Sequence, residues 1–381
     1  MGPKEFIVSS GMRVVRHDFD LTSPKGHAMK CSHFEPLESA RQWKQMPCVI
    51  YMHGNSSCRL EALELVDYFL TANITLFCFD FPGCGMSEGE FISLGWFERD
   101  AVATIVEHLR ERRNVSTIGL WGRSMGAVTA LLHGDRDPSI GGMVLDSPFS
   151  NLRTLCDELA ASHSKVPRFL VGAAMSFITK TIRKKADFDL NKLTPITHVK
   201  ECFIPAMFAT GEQDDFIQPH HCQELHDAYA GDKNIIKFEG DHNSSRPDFF
   251  NNSAVIFFVN TLQVNYLLTE ETKMSEAERN EFKQKLQQRR EEEKKQKGED
   301  AKEPEAAAET RSGAAAGFYP PNQEPATGLE AMMGLDDMGE MELGNVGNLF
   351  GSGPMGGPMG GGGGMSEEEM IARAIQESLK D

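Results

Sequence analysis

The sequence predicts an α/β fold in which a mostly parallel sheet is flanked by helices. Short apolar segments alternate with amphipathic ones along residues 1–268, and the apolar segments are too short to be buried helices. Residues 269–381 differ, because they hold 17 of the 35 glycines and a net charge of −11 out of −17. A chain of that composition lacks the apolar side chains for a core. We therefore expect one folded domain, residues 1–268, followed by an acidic tail.

The predicted strands and helices alternate as a parallel sheet with helices on both faces requires. Extended segments with turns are predicted for residues 5–37. Further strands are predicted for residues 48–52, 74–79, 116–121, 142–145, 204–209 and 235–238. Helices are predicted for residues 60–70, 97–110, 125–133, 220–229 and 247–262.

A mostly helical segment, residues 149–200, interrupts this alternation, and we interpret it as a cap. Its apolar stretch, residues 166–178, is followed by Lys180 and by the basic run 183–185. Two interpretations stay open: a helix that binds acyl chains or a membrane surface, and an ordinary cap helix with a solvated basic end.

The charge and the cysteine content narrow the class of protein. The net charge is −17 and no basic stripe dominates, which argues against nucleic-acid binding. The eight cysteines are scattered without a C-x-x-C pair, as in a reducing compartment. The N-terminus has no apolar signal core, and no stretch reaches about 18 uninterrupted apolar residues. We expect a protein of the cytoplasm, or of cytoplasm and nucleus, without a transmembrane segment.

Three segments are predicted beyond residue 268. Residues 269–303 are densely charged and suit a solvated helix or linker. Residues 304–365 are rich in Pro, Ala, Gly and Met, which predicts a disordered tether. Residues 366–381 regain helix-forming sequence at the C-terminus.

The pattern G-x-S-x-G, which is typical of a nucleophilic serine, occurs twice, around Ser87 and around Ser124. A nucleophile on a sharp strand-to-helix turn needs a strand before the motif and a helix after it. Ser124 follows the apolar segment 117–121 and precedes the helical segment 127–132. Ser87 has loop sequence on both sides. We therefore predict Ser124 as the nucleophile.

A serine nucleophile needs a histidine base and a carboxylate that orients it. Where the chain order is serine, acid, histidine, His242 is the candidate base, because it alone of the 12 histidines follows the last predicted strand. Asp214 is the favoured acid, just past the strand 204–209. Its neighbour Asp215 and the strand-end Asp146 remain alternatives.

Backbone N–H groups must meet the oxyanion. The residue after the serine, Met125, supplies one, and the loop after the strand 48–52 supplies the other, with Asn55 as the expected donor. His53 in that loop is expected to be structural. His220 and His221 follow Asp214 too closely to be the base, and we interpret them as helix-start or surface residues.

Taken in order, five motifs resemble those of the α/β-hydrolase superfamily, and in particular its serine aminopeptidase-like branch. They are His53-Gly54-Asn55, Asp80-x-Pro82-Gly83-x-Gly85-x-Ser87, Gly122-Arg123-Ser124-Met125-Gly126, Gly211-x-x-Asp214 and Gly240-Asp241-His242-Asn243. The resemblance covers about residues 35–265. It implies a Ser124–Asp214–His242 triad that needs no metal or organic cofactor, and leaves the substrate open, since esterases, thioesterases and peptidases share this fold.

The C-terminal segment predicts an amphipathic helix with a narrow apolar face. Ile371, Ala374, Ile375 and Ser378 recur at helical spacing after an acidic run at 367–369. The pattern resembles a ubiquitin-interacting motif, which implies that ubiquitin or ubiquitylated proteins are partners. The alternative is an ordinary acidic helix.

Together these observations predict a serine hydrolase that cleaves an ester, thioester or amide of a small acyl or peptide substrate and carries a tethered ubiquitin-binding helix. The alternative is a ubiquitin-binding adaptor whose hydrolase domain is a catalytically idle scaffold.

Overall fold

The computed structural model describes residues 1–163, 168–269, 273–278, 280–281, 284 and 288. The predicted tether 304–365 and the predicted C-terminal helix 366–381 lie outside the described residues, as does most of the charged segment 269–303.

In the described part of the chain, nine strands form a single sheet in the order β1-β2-β3-β5-β4-β6-β7-β8-β9. Their bounds are β1 Glu5–Ile7, β2 Arg13–Thr22, β3 Ala28–Pro36, β4 Met46–Met52, β5 Thr75–Phe79, β6 Val115–Arg123, β7 Gly142–Asp146, β8 Ala206–Gly211 and β9 Lys233–Phe238. The first three strands pair antiparallel, and β3 joins β5 antiparallel. All later pairings are parallel. The predicted α/β fold with a mostly parallel sheet is therefore confirmed.

Helices cover both faces of this sheet. Their bounds are α1 Val66–Thr71, α2 Glu98–Glu111, α3 Met125–Gly134, α4 Leu152–His163, α5 Arg168–Ala186, α6 Pro195–His198, α7 Pro219–Ala228, α8 Asp248–Thr261 and α9 Val264–Leu267. Buried side chains of α2, α3 and α7 form one core cluster with the sheet, and those of α1 and α8 form a second. Because both faces are covered, the central strands are apolar throughout rather than alternating.

Strand β4 illustrates this. All seven of its residues are buried. Cys48 and Ile50 contribute to the first core cluster, whereas Val49 and Tyr51 contribute to the second. Successive side chains of a strand point to opposite faces, so the short apolar run seen in the sequence serves two cores at once.

The predicted helix over residues 60–70 differs in detail. Its first part, Arg59–Leu65, is a 3₁₀ helix, and α-helix begins only at Val66. A 3₁₀ stretch at a helix start is a common, tighter arrangement, and here it brings Glu61 towards the end of β6, where Arg123 binds it.

Helices α4 to α6 lie in the chain between β7 and β8, where the sequence predicts a cap. Helices α4 and α5 contribute Leu155 and Ile182 to a third core cluster, which also includes Val128 and Leu132 of α3. Helix α5 begins at Arg168, within the predicted apolar segment 166–178 of the cap. Among the described residues, no helix is both long and apolar enough to cross a membrane.

Candidate active site

Ser124 lies at the turn between β6 and α3 in a strained backbone conformation, with φ 54° and ψ −114°. The turn is tight because neighbouring backbone crowds both flanking glycines. A Cβ on Gly122 would lie 2.1 Å from the carbonyl oxygen of Gly126, and one on Gly126 would lie 2.1 Å from that of Met52. No side chain fits at either position, which explains the two glycines of the motif and leaves Ser124 held at the end of the sheet.

Ser124, His242 and Asp214 form a continuous chain of hydrogen-bonding distances. His242 Nε2 lies 3.2 Å from Ser124 Oγ, and His242 Nδ1 lies 2.7 Å from Asp214 Oδ2. A neutral imidazole that donates from Nδ1 to the carboxylate accepts through Nε2, so this arrangement leaves Nε2 ready to take the serine proton.

The acid is held by its own loop. Asp214 is 3% exposed, and its Oδ1 accepts the N–H groups of Phe216 at 3.2 Å and Ile217 at 2.8 Å. The second oxygen therefore faces His242. The adjacent candidate, Asp215, is an exposed neighbour in the same loop.

The loop that carries His242 follows β9 and is tied to the acid loop. Gln213 Oε1 accepts the N–H of Gly240 at 2.6 Å. Gly240 has φ +134°, a conformation that L side chains rarely adopt. The ring of Phe216 lies 5.1 Å from that of His242, centroid to centroid. These contacts hold the two loops at a common edge of the sheet.

Asp146, the alternative acid, is engaged elsewhere. Arg246 binds it in a bidentate manner, with Nε to Oδ2 at 2.7 Å and Nη2 to Oδ1 at 3.0 Å. Both side chains are buried. Arg246 Nη1 also donates to the carbonyl oxygen of Ser244 at 2.7 Å. Asp146 therefore anchors the histidine loop, while its carbonyl oxygen accepts the N–H of Ser124 at 2.7 Å.

A second ion pair joins the serine turn to two other loops. Arg123 donates from Nη1 to Glu61 Oε1 at 2.9 Å and from Nη2 to the carbonyl oxygen of His242 at 2.8 Å. The other Glu61 oxygen accepts the N–H of Gly54 at 3.1 Å. Because Gly54 precedes the predicted oxyanion donor Asn55, this pair links the oxyanion loop with the histidine loop.

The two predicted oxyanion donors lie on different elements. Met125 is the first residue of α3, where backbone N–H groups have no intrahelical acceptor. Asn55 follows Gly54, whose added Cβ would lie 3.7 Å from Ser124 Cβ, so this loop runs beside the serine. A cavity of about 480 Å³ borders the loop, lined by Asn55, Ser56, Ser57, Cys58, Gly83, Cys84, Gly85 and Ile92.

His53 is buried and has two backbone partners. Its Nε2 accepts the N–H of Phe81 at 3.1 Å, and its Nδ1 lies 2.7 Å from the carbonyl oxygen of Gly54. Burial lowers the pKa of His53 below its usual value. The neutral ring therefore supports the loop rather than exchanging protons.

The second G-x-S-x-G copy lies in a loop that its serine stabilises. Ser87 Oγ donates to the carbonyl oxygen of Asp80 at 2.7 Å and accepts the N–H of Lys30 at 2.8 Å. Nearby, the Asp80 carboxylate accepts the N–H of Arg59 at 2.7 Å. Among the described residues, the Ser87 hydroxyl contacts the backbone groups of Asp80 and Lys30, whereas the Ser124 hydroxyl contacts a histidine.

His220 and His221 lie in the first turn of α7, so their prediction as helix-start residues is correct. The surface interpretation is wrong for His221, which is fully buried, whereas 40% of the His220 side chain is exposed. Helix α7 packs against α6 and β8, so one side of its first turn faces the interior. Sequence reasoning also missed Arg246 and Glu61, because no local pattern marks either residue.

The comparisons with known proteins agree with this fold. Residues 44–188 match the family model described as serine aminopeptidase, S33. The uncharacterized protein YqkD of Bacillus subtilis is 26% identical over 229 residues, which are 59% of this chain and 72% of that protein. The Arabidopsis thaliana alpha/beta hydrolase domain-containing protein WAV2 is 26% identical over 45% of this chain. The chain spans about half, 54%, of that relative's length.

Solved structures share the architecture at low identity. The Pyrococcus furiosus esterase Pf2001 has a TM-score of 0.50 and 19% identity, over 64% of this chain and 92% of its own. Acetyl xylan esterase 1 of Thermoanaerobacterium has a TM-score of 0.52 and 18% identity, over 67% and 85%. A Mycobacterium tuberculosis puromycin-hydrolyzing peptidase has a TM-score of 0.52 and 16% identity, over 65% and 39%.

The chain therefore has the α/β-hydrolase fold. The family match and the esterase neighbours support a hydrolase and do not distinguish an esterase from a peptidase.

Proposed function

We propose that the protein is a serine hydrolase that cleaves an ester, thioester or amide through an acyl-enzyme intermediate. The observation that carries the proposal is the continuous contact from Ser124 Oγ through His242 to the buried Asp214. A serine hydroxyl needs such a base to become nucleophilic at neutral pH. The strained turn at Ser124 adds support, since strained backbone concentrates at functional sites.

The proposed reaction has two halves. Ser124 Oγ attacks the carbonyl carbon as its proton passes to His242 Nε2, and the N–H groups of Met125 and Asn55 stabilise the negative oxygen. The tetrahedral intermediate collapses when His242 returns the proton to the leaving group. Water then repeats the attack on the acyl group with the same base and releases Ser124. Asp214 stabilises the imidazolium in both halves.

The substrate lies against the oxyanion loop in this proposal. The cavity of about 480 Å³ beside Asn55 is large enough for a small acyl or peptidyl group. A panel of acyl esters and thioesters of graded chain length, beside aminoacyl amides, distinguishes the esterase, thioesterase and peptidase activities that related folds carry out.

The proposed ubiquitin-binding function rests on the C-terminal sequence alone. Ile371, Ala374, Ile375 and Ser378 match the spacing of a ubiquitin-interacting motif. One short helix buries little area, so we expect weak binding by a single site. In this proposal the preceding segment, which the sequence predicts to be a tether, would raise the effective concentration of ubiquitylated cargo near the hydrolase domain.

A fluorophosphonate probe on the purified full-length chain tests the hydrolase proposal. The wild type should become labelled, Ser124→Ala should abolish labelling, and the matched control Ser87→Ala should retain it. If the wild type neither reacts with the probe nor hydrolyses any member of the panel, yet captures ubiquitin, the idle-scaffold alternative replaces the proposal.

A further inference from the structure

A cluster of two histidines and a carboxylate joins the cap to the main domain. Glu158 on α4 lies between His220 and His221 at the start of α7. Its Oε1 is 3.1 Å from His220 Nε2, and its Oε2 is 2.9 Å from His221 Nε2. The two imidazole rings stack with their centroids 4.3 Å apart. One ligand atom from each of the three residues lies within 4.8 Å of the others.

The buried histidine has a second set of partners on its other nitrogen. Ser150 Oγ lies 2.8 Å from His221 Nδ1 and donates at 2.8 Å to Glu224 Oε2. An ionised carboxylate only accepts hydrogen bonds, so His221 Nε2 donates to Glu158 Oε2 here; a metal on Nε2 would replace that proton and require the Nδ1–H tautomer, with Ser150 Oγ as its acceptor. Ligating histidines almost always donate their other ring N–H to a carboxylate, carbonyl or similar acceptor. The backbone N–H of Ser150 donates to Nδ1 at 3.3 Å, so metal binding at Nε2 would also displace this contact.

Two carboxylates stand next to these imidazoles. Glu158 contacts both rings, and Glu224 reaches His221 through the Ser150 hydroxyl.

We propose that Glu158, His220 and His221 bind a divalent transition metal, with Zn²⁺ as the preferred ion. Imidazole and carboxylate ligands suit zinc, and two histidines with one glutamate form a known tetrahedral ligand set. Metal–ligand bonds of about 2.1 Å place tetrahedral ligand atoms about 3.4 Å apart, and one ligand atom from each of the three residues already lies within 4.8 Å of the others, so modest side-chain shifts would form the site. The half-exposed side of His220 leaves room for water as the fourth ligand.

The metal would act as a clamp. It would fasten α4 of the cap to α7, which begins two residues after Ile217, the donor that holds Asp214. Because the ion binds only the folded chain, we expect saturating Zn²⁺ to raise the unfolding temperature by about 5–10 °C at a concentration 100-fold above the dissociation constant. This inference is independent of the proposed hydrolase activity, since its readout is metal binding.

Isothermal titration of the metal-free full-length chain with Zn²⁺ provides the test, and visible absorption with Co²⁺ reports the coordination geometry. We expect one equivalent of metal and a tetrahedral Co²⁺ spectrum. Glu158→Gln and His220→Ala should each weaken binding at least about tenfold, and Ser150→Ala about 10- to 100-fold. The matched control is His198→Ala, which removes a histidine that pairs with Asp135 and should leave binding unchanged.

Circular dichroism and the unfolding temperature without metal identify any variant that fails to fold. His220→Ala is the more informative variant, because this side chain is substantially exposed and its removal should not prevent folding. Failure of the wild type to bind metal overturns the proposal. So does unchanged binding in both Glu158→Gln and His220→Ala. A site lost in His242→Ala but retained in His220→Ala would place the metal at the triad and overturn it as well.

Discussion

Removing the charge of either of two buried aspartates at neighbouring strand ends should affect different properties of the protein. Asp214 contacts His242, whereas Asp146 binds Arg246. An Asp→Asn change at either position keeps the size of the side chain, removes the negative charge and replaces one acceptor oxygen by an NH2 donor. Asp214→Asn should therefore damage catalysis, and Asp146→Asn should damage stability.

The expected losses of stability and of kcat follow from the group that each aspartate contacts. Asp146→Asn leaves the guanidinium of Arg246, whose side chain is 4% exposed, without its counter-charge. Breaking a buried ion pair on one side typically costs about 3–5 kcal/mol. Asp214→Asn removes the partner of the imidazolium and favours the wrong tautomer of His242, which in a comparable triad lowers kcat about 10⁴-fold.

Urea unfolding and the rate of fluorophosphonate labelling separate the two effects. Asp214→Asn should unfold near the wild-type midpoint and label very slowly. Asp146→Asn should unfold at a much lower urea concentration while its remaining folded fraction still labels. The opposite pattern, with slow labelling in a stable Asp146→Asn and fast labelling in Asp214→Asn, would show that the acid lies on β7.

Three further predictions concern positioning, pH and the tail. Glu61→Gln keeps an acceptor for the Gly54 N–H but loses the ion pair with Arg123. The kcat for a soluble ester should therefore fall about 10- to 100-fold, with little change in the urea midpoint of unfolding. An unaltered kcat would contradict a positioning role for Glu61. His53 stays neutral in the folded protein because burial lowers its pKa. Its contribution to stability is therefore complete above its unfolded pKa of about 6.5 and is lost as pH falls below that value, by up to about 2 kcal/mol between pH 7 and pH 5. In urea unfolding at these two pH values, the free energy of unfolding should change less with pH for His53→Gln than for the wild type, and an equal change would refute the assignment. Ala374→Gln combined with Ser378→Ala should abolish ubiquitin pull-down and leave small-ester turnover unaltered, and undiminished pull-down would reject the ubiquitin-binding face.

The strand-to-helix turn at Ser124 was predictable because its signal is local. An apolar strand, a serine with a glycine two residues away on each side, and an apolar helix are consecutive in the chain. The close backbone approach at this turn is what requires the two glycines. The mostly parallel sheet was also predictable from local signals, since apolar runs such as β4 are short and uninterrupted. The chain order of the superfamily's motifs predicted His242 as the base and favoured Asp214 among three candidate aspartates.

The choice between Asp214 and Asp146 stayed open in the sequence, because both aspartates end or follow a strand and have the same chemistry. In the tertiary structure the two aspartates have different partners that are far away along the chain: Arg246 is 100 residues from Asp146, and His242 is 28 residues from Asp214. The burial of His221 beside Glu158 depends likewise on how α4 packs against α7. Contacts of this kind leave no periodic pattern in the sequence, since each depends on the relative placement of two elements whose own sequences are compatible with many neighbours.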